Sequence, residues 1–574
     1  MYRNAPRERA PRVMIIGLDG ATFTWLRPLI ANGRLPHLGN LLHTGASGEL
    51  TSIIPPHTGP AWPSMVTGRN PGKHGVFYFE RYNVASYDCL DGFTTSETLV
   101  GRTIFDSASV AGLRVAALRV PMTYPVWQIN GVMTSGFPAP ADPDRSAYPR
   151  SVGKVLPPMG KPRVYGGTPE SNFAFLTREI ETLTNAACAF LASDDFDLFM
   201  AVYQQTDQAH HFFWHFSDPS SPLYSAPDAE QYGDLIPRVY AAVDAAVGKL
   251  LEYAGDETLV LVVSDHGAEC APHTYFQVNQ WLRTLGLLHL TEPSRSVEGM
   301  RALFEGRHLI PKDIRRIARR IVVGTHFGPV RSIYERMSQG TETIDWGRTD
   351  VYRFPVTEQM EGLALNVVGR QPQGTIQPGA AYEELRERVI AALRALRVPG
   401  SDEPLVTEVY RREEVFSGPH SVRAPDVLYR LAAGYESRGS ITDPLFIPVP
   451  PIALSRHSAW HDRAGVLLAR GAGIAAGTRL TDAHLLDIAP TVLRALGLPL
   501  SADLDGHPLQ SLLFAGSAER DGAPHAAGER GEAARAAGEQ RADGDAEREP
   551  AHATALSSEE EEGIRERLEA LGYL

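Results

Sequence analysis

The chain has 574 residues, 43% hydrophobic and 21% charged, with a formal net charge of -13. This is a globular composition, long enough for several domains or for one large core with insertions. An acidic balance of this size excludes a broad basic face for nucleic acid, although a single cationic site, most simply of metal ions, still suits an anionic substrate.

Cys89, Cys188 and Cys270 lie far apart and form no C-x-x-C pair, which excludes a disulfide framework and a thiolate metal site and fits a reducing compartment. The opening "MYRNAPRERAPR" runs straight into a short apolar stretch without the apolar h-region of a secretory leader. No segment approaches the ~20 apolar residues of a membrane span. A cytoplasmic protein without a transmembrane segment is expected.

In chain order, "RVMIIGLDG" (12–20) is an apolar run ending in Asp-Gly, the form of a buried parallel strand. "SIIPPHTGPAWPSMVTGRNPGKHGVF" (52–77) boxes Thr58 between Pro55, Pro56 and Pro60, ahead of an expected helix and a Gly- and Pro-rich turn. Further apolar runs lie near Val115, before Asp207, before Gly267 and before Gly471. Helical patterns separate them: 234–255, expected to close at Gly255, and 380–396, where Leu385, Val389, Leu393 and Leu396 share a stripe. Strands alternating with helices predict an α/β layered core with a mostly parallel sheet.

The texture changes over 271–347. "RHLIPKDIRRIARRIV" sets Ile310, Ile314, Ile317 and Ile321 on one helical face and arginines on the other, as in a helical insertion or cap. The reading is a core over 12–270 and 348–514, split by that insertion. Residues 515–555, rich in Ala, Gly, Glu and Arg, read as a disordered linker. Residues 556–574 read as a terminal helix with a Ser558–Glu561 capping box, an apolar stripe of Ile564, Leu568 and Leu571, and Gly572 as its stop. That stripe is expected to dock on its own core or on a partner subunit, making a homo-oligomer.

Three expected strands end in acids: Asp19, Asp207 and Asp265. Ligands in open α/β sheets bind beyond the carboxyl ends of strands. In "QTDQAHHFFWHF", Asp207 and His211 stand four apart, so a helix there presents both to one ion, with His210 and His215 as rivals. "VVSDHGAE" places Asp265 and His266 just past a strand, and "SAWHDRAGVLLARG" places His461 before one, with His457 and Asp462 competing. Each motif alone also suits a capped turn or a packed polar helix. Together they supply three acids, three imidazoles and the Thr58 hydroxyl. Such oxygen and nitrogen donors fit Zn²⁺ or Mn²⁺, and seven are too many for one tetrahedral ion and about right for two. Two metals form a clamp for in-line displacement at phosphorus, and metal coordination is a recognised way to activate a hydroxyl nucleophile.

The order Asp…Thr…Asp-x-x-x-His…Asp-His…His, with "HTGPAWPSMVTGRNPGKHG", resembles the alkaline phosphatase superfamily, specifically its type I phosphodiesterase/nucleotide pyrophosphatase branch. "LLDIAPTVLRALGLPLSADLDGHPL" (485–509) is similar to the segment closing that core, and "GLALNVVGRQPQGTI" and the terminal "LGYL" to features of bacterial members. The resemblance implies a three-layer α/β/α sandwich and a two-zinc hydrolase of phosphodiester or nucleotide pyrophosphate-type bonds with Thr58 as nucleophile. Asp207, His211 and His461 would hold one ion, and Asp19, Thr58, Asp265 and His266 the other. The alternatives with the same metal centre are a phosphomonoesterase, a phosphonate hydrolase or a phosphotransferase; a non-catalytic scaffold is a further one. A sulfatase is disfavoured because Thr58-Gly-Pro-Ala-Trp62 lacks both the modifiable residue and the Arg of C/S-x-P-x-R. Where the branch commonly has an asparagine after the nucleophile, this chain has Ala61, so backbone N–H groups such as that of Gly59 would serve the third phosphoryl oxygen. Trp62 offers a stacking face, Lys73 and His74 stand within reach of substrate, and Arg370 is a clamp for a distal phosphate; all four also suit structural roles.

Overall fold

The computed structural model describes residues 12–140, 142, 144–160, 167–291, 343–357, 360–455, 457–513 and 556–571. The arginine-rich helix expected over 310–321 and the linker over 515–555 lie outside the described residues, as does Gly572. Two compact units form: 1–79 with 93–269 and 455–574, and 80–92 with 270–454.

The first unit is built on a ten-stranded sheet. Its strands in chain order are β1 (Val13–Leu18), β2 (Ala46–Thr51), β3 (Val115–Val120), β4 (Gly131–Ser135), β5 (Ala147–Tyr148), β6 (Leu198–Tyr203), β7 (Leu259–Val263), β8 (Ala464–Arg470), β9 (Thr478–Arg479) and β10 (Ala483–His484). They lie in the order β9-β2-β8-β7-β1-β6-β3-β4-β5, with β10 against β2. β1 runs parallel to both neighbours, pairing Leu18 with Tyr203 and Gly17 with Val263. β3 is parallel to β6 and β4, while β8 runs antiparallel to β7 and β2.

Every residue of β1, β3, β6 and β7 is buried. The unbroken apolar runs are therefore explained by helices covering both faces. On one face Val13, Ile15, Met200, Val202, Leu261 and Val263 join a core with Trp62, Met65, Phe105, Ile488 and Val492. Trp62 and Met65 come from α1 (Thr58–Thr67). On the other face α2 (Pro169–Ser193) and α3 (Gln205–Ser217) pack against each other and against α4 (Leu235–Leu251). The α/β expectation and its five main strands are thus found. One boundary moves: α4 stops at Leu251, not Gly255. Gly255 instead opens the next turn, donating its N–H to Thr258 Oγ1 at 2.9 Å.

The terminal helix α5 (Ser558–Leu571) belongs to this unit. Its capping box is shifted by one residue from the expected one: Ser557 Oγ accepts the Glu560 N–H (3.2 Å) and Glu560 Oε2 accepts the Ser557 N–H (2.7 Å). Ile564 and Leu568 are 2% and 0% exposed within the single chain. Of the two dockings expected for the apolar stripe, own core or partner subunit, these two residues follow the first.

The second unit holds an antiparallel four-stranded sheet in the order Val351–Phe354, Met360–Leu365, Val427–Leu431, Val406–Arg411. The helix Ala380–Ala395 packs on the last of these strands, burying Leu385, Val389 and Leu393. A three-stranded sheet with Thr274–Gln277 at its centre completes it. Among the described residues, no helix is long and apolar enough to cross a membrane.

Candidate metal centre

All seven expected donors belong to the first unit. β1 delivers Asp19 at its carboxyl end, where its N–H donates to Tyr203 O at 3.0 Å. Gly20 then turns with φ +64 and donates its N–H to Asp265 Oδ1 at 3.3 Å. A Cβ at Gly20 would stand 2.7 Å from Asp207 Oδ1. Glycine is thus required by both the backbone angle and the approach of Asp207.

Thr58 opens α1. His57 caps the helix, its Nδ1 accepting the Gly59 N–H at 3.0 Å. Thr58 Oγ1 donates to Asp19 Oδ1 at 3.2 Å and lies 3.2 Å from His266 Nε2. Trp62, one helical turn on and so on the same face, donates its indole N–H to Asp19 Oδ2 at 2.9 Å. The hydroxyl and the indole hold one carboxylate from two sides.

Asp207 sits in the first turn of α3, four residues before His211. Its Oδ2 is 3.2 Å from His211 Nε2, and its Oδ1 is 3.6 Å from His461 Nε2. The two imidazole Nε2 atoms are 3.2 Å apart. His211 Nδ1 faces Ala459 O at 2.9 Å, so that nitrogen carries the proton and Nε2 presents its lone pair inward. His461 arrives on Ala459–Asp462, which pairs with Gly267–Cys270 directly after His266. His266 Nδ1 donates to Gly267 O (2.9 Å), again leaving Nε2 for the site. That Nε2 is 3.5 Å from Asp19 Oδ1 and 3.4 Å from Asp265 Oδ2.

These separations test the fit to metal. A tetrahedral ion with bonds of about 2.0–2.1 Å sets its ligand atoms about 3.3 Å apart. Asp207, His211 and His461 meet that spacing at 3.2, 3.2 and 3.6 Å. Asp19, Thr58, Asp265 and His266 meet it at 3.2 to 3.5 Å. Asp207 also groups with Asp19 and His266, their donor atoms lying within 4.8 Å of one another. Asp207 therefore stands between the two sets, where the sequence had placed it in one.

The electrostatics agree. Burial, then the Asp265 and Asp207 carboxylates, pushes the Asp19 carboxyl well above its usual range. Burial and then Asp207 do the same to Asp265, whose Oδ2 has no hydrogen bond among the described residues. Burial also opposes ionisation of Asp207, but His211, then His461 and His266, hold it well below the usual range. Burial and then His266 keep His461 neutral. Mutual repulsion and burial thus oppose charge on two of the three carboxyls, a penalty that divalent cations among them would relieve.

The rivals are elsewhere engaged. His210 Nε2 meets Tyr240 Oη at 3.1 Å, and burial lowers its pKa to about 3. His215 packs on Phe216, with ring centroids 3.9 Å apart. Asp462 Oδ1 accepts the Arg463 N–H (2.7 Å). His457 stacks on His211, centroids 3.8 Å apart, and so backs a donor.

The expected substrate contacts fare less well. The Gly59 N–H is committed to His57. Trp62 is 0% exposed and bound to Asp19, which leaves no face for stacking on substrate. Lys73 Nζ binds Asp505 Oδ1 (2.6 Å) and Asp503 O (2.9 Å). His74, fully buried, pairs with Ser64 Oγ at 2.9 Å and the Val76 N–H at 3.2 Å. Arg370 lies in the second unit, where both its terminal nitrogens reach Asp426 at 2.7 and 2.6 Å. The residue that sequence reasoning missed is His57. A histidine in the slot before a helix, where Ser, Thr, Asp or Asn is usual, was the signal.

Two adjoining sets of acid and imidazole donors, meeting at Asp207 and one of them including a threonine hydroxyl, are suited to holding metal ions. The chain matches the family "Type I phosphodiesterase / nucleotide pyrophosphatase" over residues 13–462 and belongs to it. It is accordingly a hydrolase of the nucleotide pyrophosphatase/phosphodiesterase kind, in a metal-dependent family. No curated protein matches it. Among solved structures it is similar to an inactive form of murine ectonucleotide pyrophosphatase / phosphodiesterase 5 in complex with AMP, at 13% identity over 87% of this chain and 97% of that one, with a TM-score of 0.44. The human counterpart is 13% identical over 86% and 96%, with a TM-score of 0.43.

Proposed function

We propose that the chain cleaves phosphodiester or nucleotide pyrophosphate-type bonds through a covalent phospho-threonine at Thr58. The observation that carries this is the placement of Thr58 Oγ1, 3.2 Å from both Asp19 Oδ1 and His266 Nε2, at the start of α1. Asp207, His211 and His461 would hold one Zn²⁺ (or Mn²⁺), and Asp19, Thr58, Asp265 and His266 another. When bound, such ions supply positive charge that favours the ionised hydroxyl and neutralises charge on the phosphoryl and leaving oxygens.

The chain's own groups do the rest. Asp19 orients the Thr58 hydroxyl, and Trp62 orients Asp19. Thr58 Oγ1 forms a bond to phosphorus as the bond to the first ester oxygen breaks, and the hydroxyl proton leaves with that product or to solvent. The amino end of α1, ten residues long, adds a favourable field for the anionic phosphoryl group. Water then adds to phosphorus, restoring Thr58 and releasing a phosphomonoester. With Ala61 fully buried and the Gly59 N–H used by His57, the third phosphoryl oxygen needs a donor from outside the side chains of this first turn.

The test is hydrolysis of bis-p-nitrophenyl phosphate by protein supplied with Zn²⁺, beside the monoester. Thr58→Ala is expected to abolish turnover, and mass spectrometry of acid-quenched parent to find phosphate on the peptide bearing Thr58. A Thr58→Ala variant as fast as the parent removes the nucleophile assignment; a faster monoester points to the phosphatase alternative. The cytoplasmic location remains part of this proposal, supported by the spacing of the cysteines.

A further inference from the structure

Helix α5 reaches the core across residues 514–555, and its contacts are of two kinds. Glu560 Oε1 accepts hydrogen bonds from Tyr124 Oη and the Arg145 guanidinium, and Ile564 and Leu568 are buried. Against these gains stands Arg567, 4% exposed, whose Nε has no hydrogen bond among the described residues. The core beneath already balances Arg119 with Glu179 at 2.8 Å. Burial disfavours the Arg567 charge, Glu179 favours it and Arg119 opposes it, so docking sets a second buried arginine beside one carboxylate, a cost that offsets part of the apolar gain. Without the helix, that pair stays balanced.

The receiving surface leads to the catalytic threonine in short steps. The Arg565 guanidinium lies over the Phe93 ring at 5.2 Å. The next residue, Thr94, donates its N–H to Phe79 O at 2.7 Å. The Phe79 ring meets the His57 ring edge-on at 4.7 Å and the Phe137 ring at 5.2 Å. His57 caps the helix that Thr58 opens.

We propose that α5 is a detachable strap: docked on the Phe93, Tyr124 and Arg145 surface, it holds the Phe79–His57 wall against α1 and keeps Thr58 in position, so that release of the helix lowers activity. The effect on turnover rests on the reading of Thr58 given above; the physical coupling does not. The occupant is the chain's own helix, which the 514–555 stretch of the same chain keeps at high local concentration.

The experiment uses the full chain with Zn²⁺ and two readouts, amide hydrogen exchange and kcat/KM on bis-p-nitrophenyl phosphate. Ile564→Glu is expected to lose protection over 556–571, to speed exchange over 57–67 and to lower kcat/KM about tenfold, the scale of a coupling energy passed through packed side chains. Tyr124→Phe, which keeps the core intact, is expected to move the same readouts less. A synthetic peptide of residues 556–574 added to the Ile564→Glu chain is expected to restore both, saturably. Unchanged exchange over 57–67 while 556–571 opens overturns the proposal. So does a parent that is a dimer in which the helix of one copy fills the surface of the other. If the parent hydrolyses neither ester, exchange alone decides the strap and the functional reading fails separately.

Discussion

Replacing Trp62 by Phe separates two readings of this indole. Its N–H is 2.9 Å from Asp19 Oδ2, between groups 0% and 1% exposed. Loss of a buried hydrogen bond to a carboxylate costs roughly 1.5–3 kcal/mol. The six-membered ring is also tightly held: a Cβ built at Gly17 would lie 2.5 Å from Trp62 Cη2. Phe leaves that space unfilled, at a cost of about 1 kcal/mol. Trp62→Phe is therefore expected to lose about 2.5–4 kcal/mol of stability in urea unfolding. Because the indole orients Asp19, a ligand in the proposed centre, Zn²⁺ affinity should also fall about 10–100-fold in competition with a chromophoric chelator. KM for diesters with and without an aromatic base should change alike. A variant that binds Zn²⁺ within about twofold of the parent, yet loses KM only for base-bearing substrates, refutes the positioning role and restores stacking.

Asp207→Asn, at the junction of both donor sets, is expected to lower metal content at both positions, whereas His461→Ala should lower it at one; elemental analysis of dialysed protein distinguishes them. Gly20→Ala forces a Cβ to 2.7 Å from Asp207 Oδ1 at φ +64, so metal content and turnover should fall together while circular dichroism keeps its shape. Glu361 in the second unit is pushed up from 4.5 to about 7, chiefly by burial, despite Arg353 at 3.2 Å. The folded chain then keeps a proton that the unfolded chain releases, so this group's contribution is fully present below pH 4.5 and lost as pH rises through 7. The loss is about 3 kcal/mol. Glu361→Gln should accordingly be more stable than the parent at pH 8 and equal to it near pH 4.5 in urea midpoints; equal midpoints at pH 8 would show that the carboxylate ionises without penalty.

What the residues determine by themselves is local and short-ranged. The unbroken apolar runs before Asp19, Asp207 and Asp265 mark buried parallel strands, because only a sheet covered on both faces uses such runs. The i,i+4 spacing of Asp207 and His211 sets both on one helical face wherever that helix goes. The apolar stripe of α5 likewise demands a surface to cover it. Which surface, and which of several histidines faces the acids, was decided by register and packing. β1 lies between β6 and β7 with Leu18 opposite Tyr203 and Gly17 opposite Val263, and this brings the three acids to one edge. His210 and His211 are neighbours in sequence, but α3 turns about 100° between them, so one meets Tyr240 and the other His461. Lys73 and Arg370 carry the right charge for a phosphate and His74 a suitable donor, yet in the fold each has acquired a nearer partner. Charge is a property of the residue, whereas the carboxylate that meets it lies 56 positions away for Arg370 and 432 for Lys73, and only the folded chain brings the two together.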